Sequence, residues 1–290
     1  MEVLNFLLYP FLGCVALVLI HTYFGVHILE RGIIFVDIAL AQFIGIGIAL
    51  SFFFSLENTY ILSLIFAVLG ATILSLLKRV DRLVNVEAFI GVLYIFSFAF
   101  GVLILDRAPH GAEEFKAILN GNILWLTPRD VISAFVLYGL IGGFHLIFRK
   151  KFLALTFEGR NRFIWEFLFF LTFAFVLAKS VQMAGILQVF SFLIIPALIG
   201  RLYTRKPSRI LLIGWTSGLA ASLIGIGLSF KSDLPTAPMT VASLSLVFLI
   251  LLIMKAARTS SRGFHSRKAD LSRSSGQQAD PSPVTIPPLK

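Results

Sequence analysis

The sequence predicts an all-α membrane protein with about nine transmembrane helices. Hydrophobic residues make up 58% of the 290 positions and charged residues only 14%, which is more apolar surface than a soluble domain of this length buries. The apolar runs are roughly 18 to 25 residues long, which at ~1.5 Å rise per residue matches a hydrocarbon core of ~30 Å. Segments exposed to lipid must satisfy their backbone groups internally, so these spans are predicted to be helices.

Nine spans follow from the apolar runs. They cover residues 5–28, 33–54, 58–77, 88–105, 130–148, 164–180, 182–200, 208–230 and 236–254. Only Lys179, Ser180 and Val181 separate the sixth span from the seventh. If these two spans formed one helix, the count would be eight.

The basic residues predict the orientation of the chain. They concentrate in alternate connections, after spans three, five, seven and nine, as in Lys78 and Arg79 or Arg149 to Lys151. By the positive-inside rule the amino terminus is then outside and the carboxyl terminus is cytosolic. The net charge of +10 is explained by these loops and the tail, and it does not indicate nucleic-acid binding. We expect a permease domain over 1–255 and a disordered, basic cytosolic tail over 256–290.

Asp37 is a carboxylate within the second apolar span, ERGIIFVDIALAQFIGIGIAL. A charged side chain in hydrocarbon is costly, and it usually faces a cavity, a transport path or a partner. Alternatively, Asp37 lies close enough to the end of its span to reach the interface or to cap a neighbouring helix. Both interpretations stay open at this point.

Two long connections are candidates for contacts with partners. The outer one, Asp106 to Arg129, contains a short amphipathic helix, and its His110, Glu113 and Glu114 are more simply solvated than metal-binding because no second histidine stands at ligand spacing. The inner one, Arg149 to Arg162, mixes basic and apolar side chains and predicts either a docking element for a cytosolic partner or a positive anchor without a partner.

Motifs for catalysis and for nucleotide binding are absent from the sequence. It contains no H-E-x-x-H, no G-x-S-x-G, no pair of cysteines and no G-x-x-x-x-G-K-[ST]. We therefore expect no enzymatic activity and no cofactor, and any dependence on ATP must come from another subunit.

Five segments in order resemble the membrane permease of ATP-binding-cassette importers for zinc, manganese and ferrous ions. They are RGIIFVDIALAQFIGIG, VEAFIGVLYIFSFAFGVLI, LNGNILWLTPRDV, MAGILQVFSFLIIPALIGRLY and DLPTAPMTV. The resemblance spans roughly residues 10 to 255. It implies a multi-pass protein of the bacterial plasma membrane, paired as a homodimer in the bilayer, with a cytosolic ATPase subunit and an external metal-binding protein.

The resemblance also implies site residues. Asp37 matches the carboxylate of a D-x-x-x-H motif in span two, but Ala41 stands at the histidine position. We expect Asp37 to contact the transported metal, zinc in the first instance, and we expect the ATPase to dock at Phe157, Glu158, Gly159 and Arg160. The loop that contains these four residues, LTFEGRNRFIWEF, is several residues shorter than is usual in the family.

Several polar residues are further candidates for the transport path. Gln42, Gln182, Gln188 and His145 lie within spans, although each is more simply a hydrogen-bond partner between helices. Two other functions stay open. One is an ATP-independent carrier in which Asp37 and a histidine, His21 or His27, handle protons; the other is a degenerate, non-transporting scaffold.

Overall fold

The computed structural model describes residues 2–77, 83–159 and 163–276, with side chains between Leu7 and Arg258. Within these ranges the regular structure is helical, which confirms the predicted class. The helices are α1 (Glu2–Arg31), α2 (Val36–Phe53), α3 (Thr59–Ser75), α4 (Val86–Leu105), α5 (Gly111–Asn120), α6 (Pro128–Ile147), α7 (Arg149–Phe157), α8 (Phe163–Tyr203), α9 (Pro207–Ser232) and α10 (Thr236–Gly276). A 3-10 turn, Ile123–Trp125, precedes α6.

Seven of these helices are long and apolar enough to cross a membrane, and α3, with 17 residues, is apolar but shorter. Local sequence explains several of the helix ends. Asn58 and Asn85 cap α3 and α4 through their side chains, and Thr127 and Asp130 form a capping box that starts α6. The predicted spans therefore coincide with observed helices.

Helix α8 makes two crossings instead of one. Its 41 residues would reach ~60 Å if straight, about twice the hydrocarbon thickness. Near its start Glu166 pairs with Arg31, and near its end Arg201 lies 3.2 Å from Glu30. Since both contacts are at the same end of α1, the two halves of α8 run antiparallel. Counting both halves of α8 and the shorter α3, the described residues make nine crossings, which is consistent with the predicted number.

The turn between the two halves lies at Gly185 and not at the predicted residues 179–181. Gly185 has φ 73° and ψ 165°, a conformation that glycine adopts without steric cost. The Gly121 backbone, also at positive φ, lies directly against it, so that a Cβ on either residue would overlap the backbone of the other segment. Pro196, the other helix breaker in α8, lies within regular helix.

Helix α1 lies at the centre of the bundle. It contacts both α8 and α9 and also α6 and α7. At Gly25 a Cβ would overlap the carbonyl oxygen of Leu193, so α1 and the second half of α8 touch through their backbones. The absence of a side chain permits this close packing, as expected for glycine in membrane helices.

The described residues up to Val247 form one compact unit and those from Phe248 onward a second one, and α10 belongs to both. The helix continues to Gly276, into the segment for which the sequence predicts disorder, while 277–290 lie outside the described residues. The predicted boundary between permease and tail at residue 255 stays a prediction.

The arrangement of the helices generates a prediction on topology. In a Cys14→Ser background, a cysteine at Ser232 should react with a membrane-impermeant thiol reagent on intact spheroplasts, and a cysteine at Ser260 should react only after lysis. Ser232 ends α9 at the face opposite Arg31, and Ser260 follows the last span. If only the cysteine at Ser260 were labelled on intact spheroplasts, the protein would have the opposite orientation in the membrane.

A second prediction tests the packing of α1 on α8. Gly25→Ala should lower the free energy of unfolding by about 1–3 kcal/mol, the usual cost of overpacking a filled interior. Gly91→Ala is the matched control, since nothing lies within 4 Å of a Cβ at Gly91. Thermal unfolding in detergent, followed by size-exclusion chromatography, measures both. Equal stability of the two variants would contradict the close approach at Gly25.

Candidate functional site

Asp37 lies in the first turn of α2 and is fully buried. Neither carboxylate oxygen has a hydrogen-bond partner among the described residues. The side chain thus neither reaches the interface nor caps a helix here, which removes the structural role considered from sequence. Burial of a carboxylate without partners is costly unless a proton or a cation compensates its charge. The geometry therefore marks Asp37 as a candidate ligand.

Two other carboxylates at the ends of spans, the buried Glu166 and the partly buried Glu87, have partners. Glu166 forms an ion pair with Arg31, whose guanidinium also lies 5.2 Å from the ring centres of Phe169 and Phe170. One oxygen of Glu87 accepts a hydrogen bond from the Phe35 backbone at 3.1 Å. Against these, Asp37 differs in having no partner for either oxygen.

The described residues contain no group of three or more histidine, cysteine, aspartate or glutamate side chains that could hold a metal ion. Ala41, one turn after Asp37, and Gln42 are both largely buried. The structure therefore provides Asp37 with no closed set of protein ligands. A permease needs no such set, because a tightly held ion would not be released.

The glutamines of α8 serve contacts between helices. The Gln182 amide donates to Ser63 at 3.3 Å, and the Gln188 amide approaches the Cys14 sulfur at 3.6 Å. The Gln188 carbonyl oxygen is buried without a partner. Neither residue is hydrogen-bonded to Asp37.

The histidines have their own partners and are not hydrogen-bonded to Asp37. His145 is bonded to Tyr23 at 3.0 Å and to Thr172 at 2.8 Å, and His27 is bonded to Thr156 at 2.7 Å. His21 is bonded to the Leu17 carbonyl at 2.8 Å. These contacts join α1 to α6 and to α7, and α6 to α8. They give no geometric support to a proton relay between Asp37 and His21 or His27.

Three of the four predicted docking residues, Phe157, Glu158 and Gly159, lie at the end of α7. Phe152 is fully buried and anchors this helix, while Phe157 is 42% exposed at its last position. Glu158 caps the helix, Gly159 has φ 64°, and Arg160 lies outside the described residues. The exposed ring of Phe157 and the turn at Gly159 thus lie next to each other, at the same end of the bundle as Arg31.

An inner cleft of about 460 Å³ adjoins this turn. Its lining includes Glu30, Arg31, Glu87, Thr156, Gly159 and Glu166. The second oxygens of Glu87 and Glu166 are buried without partners, as is one nitrogen of Arg31. Sequence reasoning missed this cluster; the only signal was a glutamate in the apolar run FIWEFLFF, and nothing pointed to its pairing with Arg31.

At the other end of the bundle, the predicted outer helix is present as α5. A cavity of about 360 Å³ lies beside it, lined in part by Glu113, Lys116, Asn120 and Thr236. His110 precedes α5 in a left-handed conformation. With Glu113 and Glu114 it forms no metal-binding group among the residues that are described.

Comparisons with known proteins agree with this arrangement. The sequence profile of the ABC 3 transport family matches residues 3–255. A probable metal transport system membrane protein of Chlamydia pneumoniae is 26% identical over 74% of this chain and 77% of its own length. A manganese transport system membrane protein of Listeria innocua is 27% identical over 79% of this chain and 83% of its own length.

A solved structure shares the fold. It is PsaBC from Streptococcus pneumoniae in complex with a Fab, with a TM-score of 0.71, 22% identity, and coverage of 85% of this chain and 90% of that one. The profile match over residues 3–255, most of the chain, shows the family. The chain belongs to the ABC 3 transport family and is a membrane permease subunit of an ABC-type metal transporter.

Proposed function

We propose that this chain forms the path of an importer for a divalent transition metal in a bacterial plasma membrane. The observation that carries the proposal is Asp37, a fully buried carboxylate without a partner inside a span of a metal permease. In the conformation described it is closed off from both faces. The ion reaches it when α2 separates from the neighbouring α3 and α4.

Among the metals, we favour manganese over the zinc expected from sequence. Carboxylate and amide oxygens suit Mn²⁺, whereas imidazole and thiolate favour Zn²⁺. Here the histidine of the family motif is replaced by Ala41, and the nearest further polar side chain along α2 is the Gln42 amide. The Listeria innocua relative is named for manganese.

The proposal includes three partners. ATP hydrolysis belongs to a separate cytosolic ATPase, since this sequence has no P-loop motif. That ATPase docks at residues 157–160, beside the inner cleft. An external metal-binding protein delivers the ion at the face of α5, and a second copy of the permease completes the path. Four of the seven long spans, α4, α6, α9 and α10, are mostly exposed and offer apolar surface for lipid or for that second copy.

The role of Asp37 is tested by Asp37→Asn. This substitution keeps the shape but removes the charge, and attraction between unit charges at ~4 Å is worth a few kcal/mol in a protein interior. We expect radioactive Mn²⁺ uptake to fall on the order of tenfold or more, with unchanged membrane insertion and ATPase co-purification. Cells expressing the whole transporter are used for the measurement.

Asp130→Asn is the control for loss of a carboxylate. Asp130 lies 3.6 Å from Lys179, caps its own helix and is 41% exposed, so its replacement should leave uptake close to normal. If Asp37→Asn and Asp130→Asn transported equally well, the metal would cross the membrane without using Asp37.

Docking of the ATPase is tested by combining Phe157→Ala with Arg160→Ala. Loss of one exposed ring and one cation should reduce co-purification of the ATPase while the permease stays folded. The control combines Leu83→Ala, 83% exposed between α3 and α4, with Arg205→Ala, exposed after α8. A stronger loss of ATPase in the control would move the docking site away from residues 157–160.

A further inference from the structure

A side groove runs along α6 on the flank of the bundle and has a volume of about 670 Å³. Helices α1, α6, α7 and α9 border it. Its lining includes Gly139, Gly142, Arg149, Ser208 and Trp215. The metal path proposed above uses none of them.

The groove is not filled by any described helix of this chain. Nothing lies within 4 Å of a Cβ placed on Gly139 or on Gly142. Glycines within membrane helices often mark faces where helices approach each other, but no described part of this protomer packs against these two. The backbone of Gly139 and Gly142 therefore forms part of the groove surface, with no side chain projecting into the groove.

The dimensions of the groove fit a hydrocarbon chain. Its lining extends from Phe135 to Leu146 along α6 and from Ala16 to His27 along α1, distances of about 16 Å each at 1.5 Å per residue. Half the hydrocarbon thickness of a bilayer is ~15 Å. The groove therefore covers one leaflet.

The mouth of the groove is basic. Arg149 lines it and is exposed, with no ion pair to another described residue. Ser208, in the first turn of α9, also lines it, flanked by the exposed Lys206 and Arg209. Cationic side chains beside the first turn of a helix attract anions. This mouth lies at the end of the bundle predicted to be cytosolic, where anionic lipid headgroups concentrate.

We propose that the side groove binds an anionic phospholipid of the cytosolic leaflet. One acyl chain lies along Gly139 and Gly142, and the phosphate contacts Arg149 and the start of α9. A second copy of this chain is the less suitable occupant, because a two-fold interface would place the basic mouth against itself.

Trp215 reports on the occupant, because it lines the groove and is one of three tryptophans in the chain. With Trp125→Phe and Trp165→Phe it is the only one left. The full-length protein is reconstituted in phosphatidylcholine vesicles that contain increasing fractions of phosphatidylglycerol with brominated acyl chains, which quench nearby indoles. The assay contains neither metal nor ATPase, so its result is independent of the transport proposal.

We expect phosphatidylglycerol to bind beside Trp215 about fivefold more tightly than phosphatidylcholine, the ratio equivalent to the ~1 kcal/mol of one basic residue near an anionic lipid surface. Arg149→Gln should bring this ratio close to one, whereas Lys150→Gln, next in sequence but not lining the groove, should leave it near the parent value. Gly139→Leu with Gly142→Leu should fill the groove and reduce quenching, and Gly91→Leu on α4 should not.

Three results would overturn the proposal. One is a ratio near one in the parent protein, which would mean ordinary lipid contact. Another is a preference that Arg149→Gln leaves unchanged. The third is a Trp215 that neither brominated phosphatidylglycerol nor brominated phosphatidylcholine quenches, which would mean that protein occupies the groove. The arginine variant alone decides the question if the double leucine variant does not fold.

Discussion

The contact between α1 and the two halves of α8 organises the bundle. Arg31 and Glu30, adjacent at the end of α1, each pair with a different half of α8, through Glu166 and Arg201. The pair formed by Arg31 and Glu166 is nearly buried, with 11% and 2% of the side chains exposed. Removing one member of such a pair leaves an uncompensated charge, which is far more costly than the pair itself. The antiparallel course of α8 is therefore tied to one end of α1.

The same energetic rule distinguishes Asp37 from its neighbours. At the inner end of the bundle the protein provides Glu166 with a cation and Glu87 with a backbone amide, yet it provides Asp37 with neither. A fold that supplies partners to the buried Glu166 and the partly buried Glu87 is able to supply one to Asp37 as well. The missing partner is then most simply the transported cation, which is present only part of the time.

The sequence predicts the spans and Asp37 well because both are local signals. Apolar run length determines a crossing, and a single carboxylate stands out against aliphatic neighbours. It does not predict the turn at Gly185, since Lys179 is the more visible interruption and the requirement for positive φ becomes evident only in three dimensions. The pairing of Arg31 with Glu166 and the open wall at Gly139 and Gly142 join residues that are distant in sequence. The choice of zinc came from the family resemblance and not from the residues present.

The meeting of Gly121 with Gly185 restricts how this protein can diverge. In most contacts a larger side chain on one segment is accommodated by a smaller one on the other, so paired changes remain accessible. Here both positions already carry the smallest residue, both have positive φ, and each faces backbone. A larger residue at one glycine cannot be compensated by a smaller residue at the other. We therefore expect this turn to tolerate few substitutions, whereas exposed apolar positions of α6 such as Leu140 and Ile147 should vary among apolar residues at low cost.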